Sequence, residues 1–191
     1  MPRRNGPLVL DQALNWIRNH ASQQIALAGE PTTAYEGCDP NVWVASTAYA
    51  VGSAVRPTVR NGFAYEVTTA GSTAATEPTW PTTAGATVVN GGVTFTCRVN
   101  RALCTAAMAP GDYTLANGLG PGNIPRRVIL AARSAIPVFR TGSADHVGLM
   151  RPGTPSTPPE LFQVTVCAAQ PLTDGNQVSF PAWNIEFSAP T

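Results

Sequence analysis

Few side chains in this sequence could carry covalent or acid–base chemistry. The histidines are His20 and His146, and the thiols are Cys38, Cys97, Cys104 and Cys167. A hydrolytic triad needs Ser or Cys, a His and an acid converging in space. No G-x-S-x-G elbow is present to offer such a serine. Asp145 and His146 are chain neighbours, a placement that rarely makes the required hydrogen bond. Glu66 and Glu77 are the carboxylates a glycosidase could pair; the competing expectation is a solvated Glu66 and a Glu77 that fixes its own loop by pairing with Arg56. No two cysteines have the C-x-x-C spacing and the histidines are far apart, so zinc lacks a ligand cluster. Small buried thiols are expected, with disulfide pairing left open. The stretch 117–122 is Gly-rich but lacks the Lys-Ser/Thr that follows in a phosphate loop. The reading is a non-enzyme with no cofactor and no metal site.

The aromatic residues offer binding chemistry instead. Trp43, Tyr49, Tyr65 and Trp80 fall within one short stretch. Sugar rings stack their apolar C–H faces on flat aromatic rings, with a few polar groups fixing the hydroxyls. These four residues are therefore the candidate glycan site. A small module also needs large aromatics for its own core, so Trp43 and Tyr65 are expected inside it. Trp80, on a loop bounded by Pro78 and Pro81, is the candidate for exposure. If it binds glycan, Trp80→Ala should abolish retention and leave folding intact.

Several elements must position these groups. Residues 8–20 form the helix candidate, with Leu10, Leu14 and Ile17 in an apolar stripe. That stripe packs either on the domain's own core or on a neighbouring subunit. Residues 29–41 read as loop. Residues 54–56 and 63–67 read as strands around an Asn61-Gly62 hairpin turn, and 86–89 and 93–97 as strands around Asn90-Gly91-Gly92. Residues 105–126 read as irregular. Beyond them, 128–132, 136–139, 161–166, 178–180 and 183–187 read as strands, with Pro137 marking an edge and 173–176 a turn. Trp183, Ile185 and Phe187 share one face and Asn184 and Glu186 the other. The fold class expected is mostly β: a β-sandwich with a short N-terminal helix and an inserted small all-β module. The divisions are 1–41 (helix and loop joining the main domain), 42–99 (inserted module) and 100–191 (main sandwich).

Composition narrows the function. In 191 residues only 12% are charged while 43% are hydrophobic, which leaves a neutral polar surface suited to contact between subunits. The net charge of +1 excludes a strongly basic nucleic-acid footprint. Every basic residue is Arg, which favours interfaces, although GC-rich codon usage gives the same bias. Arg126 and Arg127 read as an interface pair or a solvated pair. No segment reaches the roughly 20 apolar residues of a membrane span. The run in MPRRNGPLVL is too brief for a signal-peptide core. Synthesis and assembly in a cytoplasm are expected.

Two segments resemble known proteins. Trp43, Tyr49, Gly52, Val55, Gly62, Tyr65 and Val67 resemble small carbohydrate-binding modules of the chitin-binding type. The added Thr68–Gly71 run, the Glu77-Pro78-x-Trp80-Pro81 loop and the 88–95 hairpin make this stretch similar to the version found in tailed-phage structural proteins. Phe95 stands where such modules often have Trp, and Val67-Thr68-Thr69 stands where chitin binders carry paired aromatics. The second segment covers 144–150, 160–166, 171–178 and 180–183. It resembles the C-terminal half of small phage decoration or tail-fibre-like proteins. Together the two resemblances span about half of the chain. They imply a head decoration or cement protein located in the virion. Its partners would be the major capsid protein or other virion subunits, with homo-oligomer formation in the particle. The alternative they imply is a tail- or fibre-associated protein that binds host surface glycan; a cell-wall glycosidase is the remote third reading. Neither nucleic acid nor membrane is an expected partner.

Overall fold

A computed structural model describes residues 7–117 and 126–187; the side chains of residues 7–10 and 187 lie outside the described part. The fold is mostly β with one α-helix among the described residues, as expected from the sequence. Helix α1 (Pro7–His20) begins on a proline, which suits the first helical turn because its missing N–H would have no intrahelical partner there. Arg18 and His20 lie in its last turn, at the negative end of the helix dipole.

The chain then enters β1 (Gln23–Leu27), a strand the sequence reading left unassigned. The small module follows, with β2 (Ala48–Tyr49), β3 (Ala54–Val55), β4 (Phe63–Thr69), β5 (Gly71–Ser72), β6 (Thr87–Asn90) and β7 (Val93–Val99). These strands pair only with one another, as a β3-β4-β7-β6 sheet and a β2-β5 ladder. The second hairpin forms as read: Asn90 pairs with Val93 around Gly91-Gly92, with Gly91 at φ +62°. The first does not. Ala54 pairs with Glu66 and Val55 with Tyr65, so residues 56–62 form a longer loop rather than a two-residue Asn-Gly turn.

Strand β8 (Ala102–Ala107) returns to the main body, followed by β9 (Tyr113–Asn117), β10 (Arg126–Leu130), β11 (Arg133–Pro137), β12 (Gly142–Arg151), β13 (Glu160–Leu172), β14 (Gln177–Phe180) and β15 (Trp183–Phe187). Strands β8 and β9 correct the expectation of irregular structure over 105–126; the Gly-rich run's 118–122 portion lies outside the described residues. The largest sheet of the body has the order β13-β12-β1-β8, all antiparallel. A β15-β10-β9 sheet and a β11-β14 ladder complete the body. β1 and β8 are direct neighbours, with Leu27 opposite Ala102. The chain thus leaves the sheet at one strand end and re-enters beside it, with the module spliced between.

One buried cluster joins Leu14 and Ile17 of the helix to Tyr113, Val128, Leu130, Leu149 and Ile185. A second fills the space under the β11-β14 ladder with Ala26, Leu103, Ile136, Val138, Ala144, Leu172 and Phe180. The module has its own core of Trp43, Tyr49, Val55, Tyr65, Val67, Val93, Phe95 and Cys97.

Candidate binding surfaces

The module's aromatic residues are mostly interior. Tyr65 is 0% exposed, Tyr49 4% and Trp43 9%. The Tyr65 hydroxyl donates to the Pro81 carbonyl at 2.7 Å and accepts from Asn61 Nδ2 at 2.6 Å, and burial pushes its pKa up to about 12. Tyr49 crosses Phe95 edge-on at 6.1 Å, and its hydroxyl accepts from the Val44 N–H. Trp80 is half-buried: its ring lies 4.2 Å from that of Tyr65 and meets Phe95 edge-on at 5.3 Å. Its Nε1 donates to Glu77 Oε1 at 2.8 Å, and the same oxygen accepts from the Thr58 N–H. The glycan-platform expectation is corrected for Trp43, Tyr49 and Tyr65. A module of this size needs large rings to exclude water, so these three join Phe95 and the valines in its core. Trp80 staples the loop to that core and keeps only part of its ring outside.

The helix stripe also faces home. Leu14 is 0% exposed and Ile17 7%, both packed on β9 and β10, which removes them from any subunit interface. The side chain of Leu10 lies outside the described residues. Arg126 holds Asp11 of the helix through Nε at 2.6 Å and Nη2 at 3.2 Å, and it also reaches Asn117. Its role is intramolecular, tying the helix to β10. Arg127, its neighbour, has a buried Nε with no partner among the described residues.

The carboxylates, the histidine and the thiols that could carry chemistry each have particular surroundings. Glu66 pairs with Arg98 at 2.6 Å, and Glu77 with Thr58 and Trp80 rather than with Arg56. Contrary to expectation, the adjacent Asp145 and His146 do meet, Nδ1 to Oδ1 at 2.8 Å. That hydrogen bond, with the Gly29 N–H at 2.6 Å, holds the Asp145 carboxyl below its usual range. The cysteine that feels Asp145 is Cys167, but burial and that carboxylate both push its thiol pKa up, the reverse of what a nucleophile needs. All four cysteines are unpaired, and no cluster of metal-ligating side chains occurs among the described residues.

Two apolar surfaces went unread in the sequence. The first is a groove of about 450 Å³ between the largest sheet and β14. Gln24 and Ala26, two apart on β1, share the face that forms its floor. Val147, Leu172, Val178, Phe180 and Trp183 supply apolar walls. β13 is a sheet edge, and its register slips between His146↔Val166 and Ala144↔Gln170, so Cys167–Ala169 bulge beside the groove. No charged side chain lines it. Gln24 is 1% exposed, yet its Oε1 has no partner among the described residues, and neither does Trp183 Nε1. Each such buried group costs about 1–3 kcal/mol until something satisfies it. The second surface lies beside the helix, where Trp16 is 50% exposed, stacked on His20 at 4.8 Å and edge-on to Phe162 at 5.0 Å. The signal for the groove was a glutamine inside the apolar stretch Gln24–Leu27; only the sheet shows that this glutamine is interior.

No protein-family model, curated protein or solved structure matches this chain.

Proposed function

We propose that this protein is a non-enzymatic structural subunit of a phage virion, a head decoration or cement protein that attaches through its main body and displays the small module. The observation that supports this reading is the uncharged groove beside β13. A solitary protein usually blunts a long edge strand with charge. Here residues 161–166 of the edge, ahead of the bulge at Cys167–Ala169 and of Pro171, carry no charge, and Val166 is 73% exposed beside the groove. Repetition of one modest contact over a symmetric shell sums to firm attachment.

The test is the copy number in purified particles, measured by quantitative mass spectrometry against the most abundant shell protein. A decoration role gives hundreds of copies in a simple ratio to the shell protein, and Val166→Glu, a substitution at the groove's lip, should lower incorporation at least about tenfold with an unchanged melting temperature. Absence from particles would sink the proposal. A few to a few dozen copies would favour the alternative, a tail- or fibre-associated subunit that grips host glycan. Under that alternative the exposed Trp16 is a better stacking platform than Trp80.

A further inference from the structure

Where the module meets the body, a cleft of about 340 Å³ gathers Arg56 and Arg60 from the module with Arg140 from the body. Asp39, 8% exposed, is the carboxylate at its base. Arg60 takes both Asp39 oxygens, at 2.5 and 2.8 Å, and its guanidinium lies 3.7 Å from the Phe139 ring centroid. One of those oxygens also accepts from the Thr105 hydroxyl. Arg56 is left with little: its Nε sits 3.4 Å from Asp39 Oδ1 without hydrogen-bond alignment, and Nη1 reaches the Pro57 carbonyl at 3.3 Å. Arg140 has no carboxylate partner among the described residues and bonds only the Asn100 carbonyl, at 2.5 Å. Burial pushes the pKa of both guanidiniums down, helped by Arg60 next to Arg56 and by Arg101 next to Arg140. Asp174 is exposed at the rim. Three cations therefore line a cleft whose one interior carboxylate is already engaged by Arg60 and Thr105, leaving Arg56 and Arg140 without a fork-matched partner among the described residues.

We propose that this cleft binds an organic carboxylate of about monosaccharide size, held by Arg56 and Arg140 and packed against Phe63 and Phe139. Guanidinium forks match a carboxylate in pairs of hydrogen bonds. The cleft volume suits a small ligand, and the two phenylalanines favour an organic acid over an inorganic anion. The site is separate from the groove and stands whether or not the protein is a virion subunit.

The experiment is a titration of the intact, isotope-labelled chain with glucuronate, reading the arginine Nε–Hε signals by NMR, with glucose and inorganic phosphate as comparison probes. Glucuronate is expected to shift the Arg56 and Arg140 signals saturably, at least about tenfold more tightly than phosphate, with no response to glucose. Arg140→Gln should weaken binding about tenfold or more, and Arg140→Lys, which keeps the charge but loses the fork, should fall between. Thermal melts check that both variants fold, and Asp174→Asn, at the exposed rim, should bind as tightly as wild type or more so. No saturable shift with glucuronate, an equal response to phosphate or glucose, or unchanged affinity in both Arg140 variants would overturn the proposal.

Discussion

Trp80 shows how one residue's role turns on its contacts. Its indole packs on Tyr65 and Phe95 and its N–H is bonded to Glu77, so Trp80→Ala should destabilise the module by about 2–4 kcal/mol, less than a fully buried tryptophan would cost. Chemical denaturation followed by tyrosine fluorescence would measure this, and an unchanged midpoint would refute it. Glu77 supplies a pH test. Burial pushes its carboxyl up, but hydrogen bonds from the Thr58 backbone and Trp80 outweigh that and leave its pKa below the ordinary 4.5. A carboxyl depressed by folding stabilises the protein above its unfolded pKa and loses that contribution as pH falls through the folded value. The melting-temperature gap between wild type and Glu77→Gln should therefore be widest above about pH 5 and close in more acid solution. A gap that is constant with pH would count against this linkage.

At the scale of elements, the module depends on a close backbone crossing. A Cβ on Gly71 would lie 2.4 Å from the Gly92 carbonyl oxygen, and that neighbour is main chain with little freedom to withdraw. Gly71→Ala should therefore separate β5 from the β6-β7 turn and cost about 2 kcal/mol or more, within the range for overpacking. Increased amide hydrogen exchange over residues 71–74 and 90–93 would show it; native protection would contradict it. Helix α1 shows the converse, an element whose chemistry looks available for partners but whose Leu14, Ile17 and Asp11 are all engaged within the chain.

For the whole molecule, the central question is how the module is held. The main chain crosses between the two parts only near Asn41 and Asn100, and the Asp39 clasp adds side-chain contact across that joint. Asp39→Ala would leave Arg60 and Arg56 without their carboxylate. The expected cost is about 2–3 kcal/mol, below the value for a fully buried pair because Arg60 keeps 29% of its side chain in solvent. Small-angle scattering should then show a larger radius of gyration with both parts folded. An unchanged profile would mean that the other contacts across the joint, among them the Ala50 N–H to Pro155 carbonyl and Tyr35 hydroxyl to Gly52 carbonyl hydrogen bonds, suffice to hold it.

The sequence alone determined the mostly β class, the helix, the second hairpin and the closing strands, because each is written in short-range pattern: 3.6-residue or two-residue periodicity, and glycine where a turn demands it. It also delimited the aromatic stretch. It did not determine which aromatics face water, since Tyr65 and Trp80 lie fifteen residues apart in the chain and meet only once β4 and the proline-bounded loop fold together. Nor did it reveal β1, whose glutamines carry no strand signal and whose place is set by its two sheet partners. Both sites of greatest chemical interest, the groove under Gln24 and the cleft of Arg56, Arg60 and Arg140, join residues from distant parts of the chain. Tertiary structure alone decided them, because burial and charge proximity depend on three-dimensional neighbours that no local spacing encodes.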